Sequence, residues 1–205
     1  MKQLTNEQIE INYSQWVKRL QKYEVYSEKL IEDLGEKLKR APFATSETSG
    51  GAYKGALLDV TLNHICKNAF VRNSSIYGVG HILHCNPKSL MKVLLLQHIC
   101  KAEMFVEQTN SWKKKNGYPY DFNDNIDATL KCGTWSLAIC MRYDIKLTQD
   151  EIQAMTIIDR EDDKNTMFIT PLTLAVKTAN QEIIVELYRL NKPTTNNNET
   201  NQIEK

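Results

Sequence analysis

Apolar residues recur at helical spacing along most of this chain. Between Thr5 and Arg40 the positions Ile9, Ile11, Trp16, Leu20, Tyr23, Tyr26, Leu30, Ile31, Leu34 and Leu38 fall at mixed spacings of three and four among charged neighbours, which predicts one long amphipathic helix or two shorter ones. A strut packed on a bundle is favoured there over a dimerisation or partner helix, because any such stripe must be covered. The stretch Ala41-Pro42-Phe43 through Gly50-Gly51 reads as a loop from its Pro, Ser, Thr and Gly content. Asn86-Pro87 supplies an N-cap and a first-turn proline, so a helix is expected from there through Leu90 and Val93–Leu96 toward Phe105, buried because its middle turn is wholly apolar. Trp112 to Tyr120 reads as a β-hairpin about Asn116-Gly117, the dipeptide that suits a type I′ turn. Further helices are expected over Asp124–Tyr143, Thr148–Ile158 and Pro171–Leu190, with a capping box from Thr148 to Glu151. The expected class is all-α with one small hairpin insert, and residues 191–205 read as a disordered polar tail.

Composition bounds the function. A chain of 205 residues, 41% hydrophobic and 25% charged, buries one sizeable core. A net charge of +1 gives no global field to recruit nucleic acid or an anionic membrane. No apolar run approaches the ~18 to 20 residues of a membrane span, and the start Met1-Lys2-Gln3-Leu4-Thr5-Asn6-Glu7 is too polar for a secretory signal, so a cytoplasmic protein is expected. The five cysteines, Cys66, Cys85, Cys100, Cys132 and Cys140, lack a Cys-x-x-Cys pair and fit reduced thiols. A zinc site from Cys132, His98 and another cysteine is the sharp reading of them; core cysteines are the favoured one. Three lysines and three aromatics in the 112–120 segment fit a grip on single-stranded nucleic acid, but near-neutral charge favours a solvated hairpin. The carboxylates of 159–165 read as a solvated loop, since they lack the spacing of a calcium loop.

The run Gly50-Gly51-Ala52-Tyr53-Lys54-Gly55-Ala56-Leu57-Leu58-Asp59-Val60 resembles the opening of a metal-dependent HD-domain phosphohydrolase, with Val60 where that family places its first metal-binding histidine. Four further segments follow in the family's order from about Ala41 to about Ile184. Gln97-His98-Ile99-Cys100-Lys101 stands at the His-Asp doublet, Cys132-Gly133-Thr134-Trp135-Ser136-Leu137 at a Gly-His-Gly run, Ile158-Asp159 at a later His-Asp, and Ala179-Asn180 at the closing Ala-Asp. The resemblance implies a helical bundle of the HD type over residues 41–190, carrying residues 1–40 as a helical extension.

The same resemblance implies that the metal ligands are gone. Valine and isoleucine have no lone pair, and a glutamine or asparagine amide is a weak neutral donor, so neither the hydroxide nor the Lewis acid of a metal hydrolase is expected. No metal and no cofactor are therefore anticipated. The leading expectation is a degenerate, pseudo-phosphohydrolase binding or regulatory module of the kind often encoded by bacteriophages, acting on a host or phage protein or on a nucleotide. Its ligand-binding residues would be Tyr53, Lys54, Gln97, His98, Lys101, Cys132, Asp159, Arg160 and Asn180, with Lys101, Lys54 or Arg160 able to meet a phosphate without a metal. Two alternatives stand beside it: a phosphohydrolase with a site rebuilt from His98, Cys132, Asp159 and Asn180, and a structural subunit of a larger assembly.

Overall fold

A computed structural model describes residues 3–126, 130–159 and 169–191. These residues are mostly helical, with one antiparallel pair of short strands. The amphipathic N-terminal stretch is two helices, α1 (Asn6–Lys22) and α2 (Glu28–Arg40). α1 opens with a capping box between Thr5 and Gln8 and closes when Glu24 takes a φ of +60°. Glu24 N then donates to the Gln21 carbonyl at 3.1 Å and Val25 N to that of Leu20 at 2.9 Å. This is the paired-bond stop that glycine usually provides. Ser27 caps the start of α2. Of the sequence stripe, Ile9, Trp16, Leu20, Leu30, Leu34 and Leu38 are buried, whereas Ile11 and Tyr26 face solvent and Asn12 is buried in their stead.

Next comes a helical run to which the sequence pattern assigned no element. It passes from α3 (Ala56–Val60) through a π-helical turn, Thr61–Ile65, into α4 (Cys66–Val71) and a second π-helical turn, Arg72–Tyr77. The central helix α5 (Pro87–Leu96) starts as expected, with Asn86 accepting from Lys88 N and Ser89 N. It does not continue to Phe105. The backbone turns at Gln97–Cys100 before the short α6 (Lys101–Met104), because Ile99 N bonds to the Leu96 carbonyl, one residue nearer than an α-helix requires. The Leu95 carbonyl accepts instead from Trp16 Nε1 at 3.1 Å, so α1 fastens the elbow from outside.

Strand β1 (Phe105–Glu107) pairs with β2 (Tyr120–Phe122) in register Val106 to Asp121. The expected hairpin about Asn116-Gly117 is corrected here: residues Ser111–Lys115 form helix α7 and Asn116 ends it. Asn110 decides this, since its side chain accepts from Trp112 N and Lys113 N and starts a helix before a turn can form. The helix expected from Asp124 begins only at Cys132, as α8 (Cys132–Arg142), and it ends on Asp144 at φ +56° with the same paired bonds as α1. α9 (Gln149–Thr156) carries the expected capping box between Thr148 and Glu151 and passes into a 3₁₀ turn at Ile157–Asp159. α10 (Pro171–Asn191) closes the bundle. No helix among the described residues is long and apolar enough to cross a membrane.

One core unites these elements, with Trp16, Leu20, Leu30 and Leu38 buried beside Leu57, Leu94, Ile99, Ile139, Met155 and Val176. Gly133 sits where α8 crosses α9: a methyl there would run into the Met155 carbonyl and lie 2.8 Å from Ile158 Cγ1. Gly133→Ala is therefore expected to lower unfolding free energy by about 1–3 kcal/mol as an overpacked contact, read as a lower urea midpoint at unchanged slope.

Candidate functional site

The elbow after α5 aims two adjacent polar side chains inward. Gln97 is fully buried and His98 is 8% exposed. Opposite them, Asn180 projects from α10, and Cys132 projects from the first residue of α8. His98 Nε2 lies 2.8 Å from Asn180 Oδ1. The Asn180 amide nitrogen donates to Gln97 Oε1 at 2.9 Å and to the Val176 carbonyl at 2.8 Å. A backbone carbonyl can only accept, so it fixes which end of the Asn180 amide is NH₂, and Oδ1 must accept from His98. In the neutral ring the proton is thereby assigned to Nε2, leaving the Nδ1 lone pair toward Cys132 Sγ, 3.5 Å away.

A second sulfur completes the cluster. Cys100 Sγ lies 2.9 Å from Cys132 Sγ, and Cys100 N is held at 3.2 Å by Ser136 Oγ from the next turn of α8. The Cys100 thiol's hydrogen bond holds the Cys132 thiol well below the usual cysteine range, against burial, with His98 and the Lys101 charge adding to it. Burial and the neighbouring sulfur push the Cys100 thiol up. Burial also lowers Lys101, which the two sulfurs partly offset.

Lys101 Nζ donates to the Phe43 carbonyl at 2.7 Å and stands 3.5 Å from the Phe43 ring centroid. The same ring meets His98 edge-on at 5.1 Å between centroids. Phe43 is presented by the glycine-rich loop, where Phe43 N bonds to the Gly51 carbonyl. Gly51 has a φ of +75°, and a Cβ on it would be 2.8 Å from Phe43 Cβ. The loop's glycines thus serve a tight backbone turn that seats an aromatic ring over the histidine.

Of the residues read from sequence as ligand-binding, Gln97, His98, Lys101, Cys132 and Asn180 come together. Tyr53 is buried and donates to Asp59 Oδ2 at 2.6 Å, and Lys54 is exposed. Asp159 lies at the N-terminal end of α8, next to Cys132, accepting from Gly133 N at 2.7 Å, Thr134 N at 2.6 Å and Thr134 Oγ1 at 2.7 Å. It caps a helix whose own N-cap residue, Lys131, has no oxygen to offer. Arg160 and the rest of the acidic 159–165 segment lie outside the described residues, as does the tail from 192. Sequence reasoning missed Cys100 and Phe43. Cys100 was in view inside the quoted Gln97–Lys101 segment, but its meeting with Cys132 depends on the elbow.

Among the described residues no three His, Cys, Asp or Glu side chains are arranged to hold a metal ion. The zinc reading of Cys132, His98 and another cysteine finds its third residue in Cys100, but not its spacing. Two thiolates on one tetrahedral zinc, each about 2.3 Å from the ion, stand roughly 3.8 Å apart, whereas these sulfurs are 2.9 Å apart.

A separate open cleft of about 770 Å³ lies between the 67–76 stretch and the second half of α10, lined by Lys67, Val71, Arg72, Ile76, Val185 and Arg189 among others. Arg72 is 9% exposed and pairs with Glu182, yet its Nη1 is buried without a partner among the described residues. Ile76, Ile184 and Tyr188 are exposed along these two stretches, and Val79 and Ile82 in the loop that follows the first.

Compared with protein-family models, with curated proteins and with solved structures, the chain matches none.

Asn180→Leu removes the acceptor for His98 and the donor for Gln97. It is expected to cost about 1–3 kcal/mol by stranding buried polar groups, checked by urea unfolding, while Asn180→Asp costs less because His98 keeps its acceptor.

Proposed function

We propose that this chain is a binding module on an HD-domain-like helical bundle, a pseudo-phosphohydrolase in which the metal pocket of that family has become a hydrogen-bonded interior. The observation that carries the reading is the meeting of Gln97, His98, Cys132 and Asn180. These residues stand up to 83 positions apart in the chain. They belong to three of the segments aligned with the family's ligand motifs, and their contact favours that alignment over chance similarity. Their chemistry favours loss of the metal: the Asn180 amide engages the histidine, Gln97 Oε1 and the Val176 carbonyl, all without an ion, and of this group only Gln97 Nε2 is left without a partner among the described residues.

Binding then falls to the open cleft. Its volume is in the range of ligand sites, ~300–1,000 Å³, and its apolar floor lies between ion-paired rims. A protein segment with an apolar face and a carboxylate for Arg72 Nη1 fits it, since a buried guanidinium nitrogen without an acceptor is costly.

The test is thermal unfolding of the purified protein with Mn²⁺ or Mg²⁺, alongside hydrolysis of bis(p-nitrophenyl) phosphate. A ligand bound only by the native state must raise the melting temperature. No shift and no hydrolysis are expected; a metal-dependent shift with hydrolysis that the Asn180→Leu variant loses would sink the reading.

A further inference from the structure

The sulfur cluster carries a chemistry that phosphoester hydrolysis does not explain. Cys132 Sγ faces His98 Nδ1 at 3.5 Å, and His98 Nε2 is held by Asn180 Oδ1 at 2.8 Å. A nucleophile, a base within reach and a third group that orients the base is the arrangement of an activated thiol. Cys132 is the first residue of α8, so its position is set by the helix start.

We propose that Cys132, His98, Asn180 and Cys100 form a thiol redox site whose substrate is a small peroxide, with Cys132 as the attacking sulfur, His98 as its base, Asn180 as the positioning residue and Cys100 as the resolving thiol. This assignment stands whether or not the bundle belongs to the HD type.

Three observations choose a peroxide over an acyl substrate. The helix-terminal donors beside Cys132, Gly133 N and Thr134 N, which an acyl oxyanion would need, are already occupied by the Asp159 carboxylate. Cys132 is only partly exposed, and Cys100 and His98 are buried, which suits a reagent of two heavy atoms. Cys100 Sγ stands 2.9 Å from Cys132 Sγ, about 0.9 Å from the disulfide bond length, so any adduct on Cys132 has a thiol at its back. The depressed Cys132 thiol and raised Cys100 thiol match attacking and resolving roles.

The steps balance. His98 takes the Cys132 proton, the sulfur attacks one oxygen of hydrogen peroxide, a sulfur–oxygen bond forms and the oxygen–oxygen bond breaks. The leaving hydroxide takes the proton from His98 and departs as water, leaving a sulfenic acid on Cys132. Cys100 sulfur then attacks Cys132 sulfur, the sulfur–oxygen bond breaks, and hydroxide leaves with the Cys100 proton as a second water. Two thiols are oxidised to one disulfide and one peroxide is reduced to two waters.

The experiment is peptide mapping of the full chain after stoichiometric hydrogen peroxide, following reduction and removal of dithiothreitol. A Cys100–Cys132 disulfide that dithiothreitol reverses is expected, with Cys66, Cys85 and Cys140 still open to alkylation after unfolding. In Cys100→Ser a dimedone adduct should collect on Cys132. His98→Gln should slow Cys132 oxidation by roughly 100-fold, the low end for a positioned base. Asn180→Leu should raise the pH midpoint of Cys132 alkylation with the circular dichroism unchanged, and Asn180→Asp should restore it. The proposal is overturned if the wild-type chain forms another pairing, if Cys132 oxidises no faster than Cys66 or Cys140, or if stoichiometric Zn²⁺ binds and shields both thiols.

Discussion

The arrangement depends on one interruption, the end of the central apolar helix at Leu96. Had α5 continued at about 100° per residue, Gln97, Cys100 and Lys101, three and four positions apart, would still have shared a face. The tightened turn, whose amides bond three residues back at Ile99 and Lys101, eclipses residues three apart and so stacks Gln97 over Cys100 and His98 over Lys101. Trp16 accounts for the Leu95 carbonyl and Ser136 for the Cys100 amide, so the elbow leaves neither of these backbone groups unpaired. The N-terminal helices thereby contribute to the site without reaching it, because α1 supplies the indole that fastens the turn.

Around that elbow, neutral amides do what metal ligands do elsewhere: they fix a histidine. Asn180 is itself fixed by the Val176 carbonyl one turn earlier in α10, so the orientation of the His98 ring follows from helix geometry. The same fixing leaves a lone pair directed at a thiol. In the proposed reading that lone pair is the base that ionises the sulfur. The remaining candidate carboxylate, Asp159, serves α8 by holding its first amides, and in doing so takes up donors that acyl transfer would require.

Much of this was legible in sequence where the signal is a side chain with a local job. The Thr148 and Glu151 capping box, the Asn86-Pro87 start and the helical periodicity of the bundle all appear as read. Chain reversals were legible only when glycine or proline marked them. Glu24 and Asp144 end helices at positive φ, a role that tertiary packing around Val25 and Ile145 makes tolerable and that no residue type announced. At 110–117 two local signals competed, and the Asn110 cap prevailed over the Asn-Gly turn. Gln97, His98, Cys132 and Asn180 were picked out by family resemblance. That Cys100 would meet Cys132 across 32 positions was not readable, because it follows from where the helix breaks and from Gly133 letting α8 settle against α9.

Hydrogen bonds of Asn180 with His98, Gln97 and Val176 close the space between Gln97, His98, Cys132 and Asn180. Crystals grown with Mn²⁺ and measured at the manganese edge test this closure most directly. No anomalous peak near His98 Nε2, with Asn180 Oδ1 in hydrogen-bond contact with it, is the expected result. A peak at full occupancy bonded to His98, with the Asn180 side chain turned to ligate it, would contradict the claim.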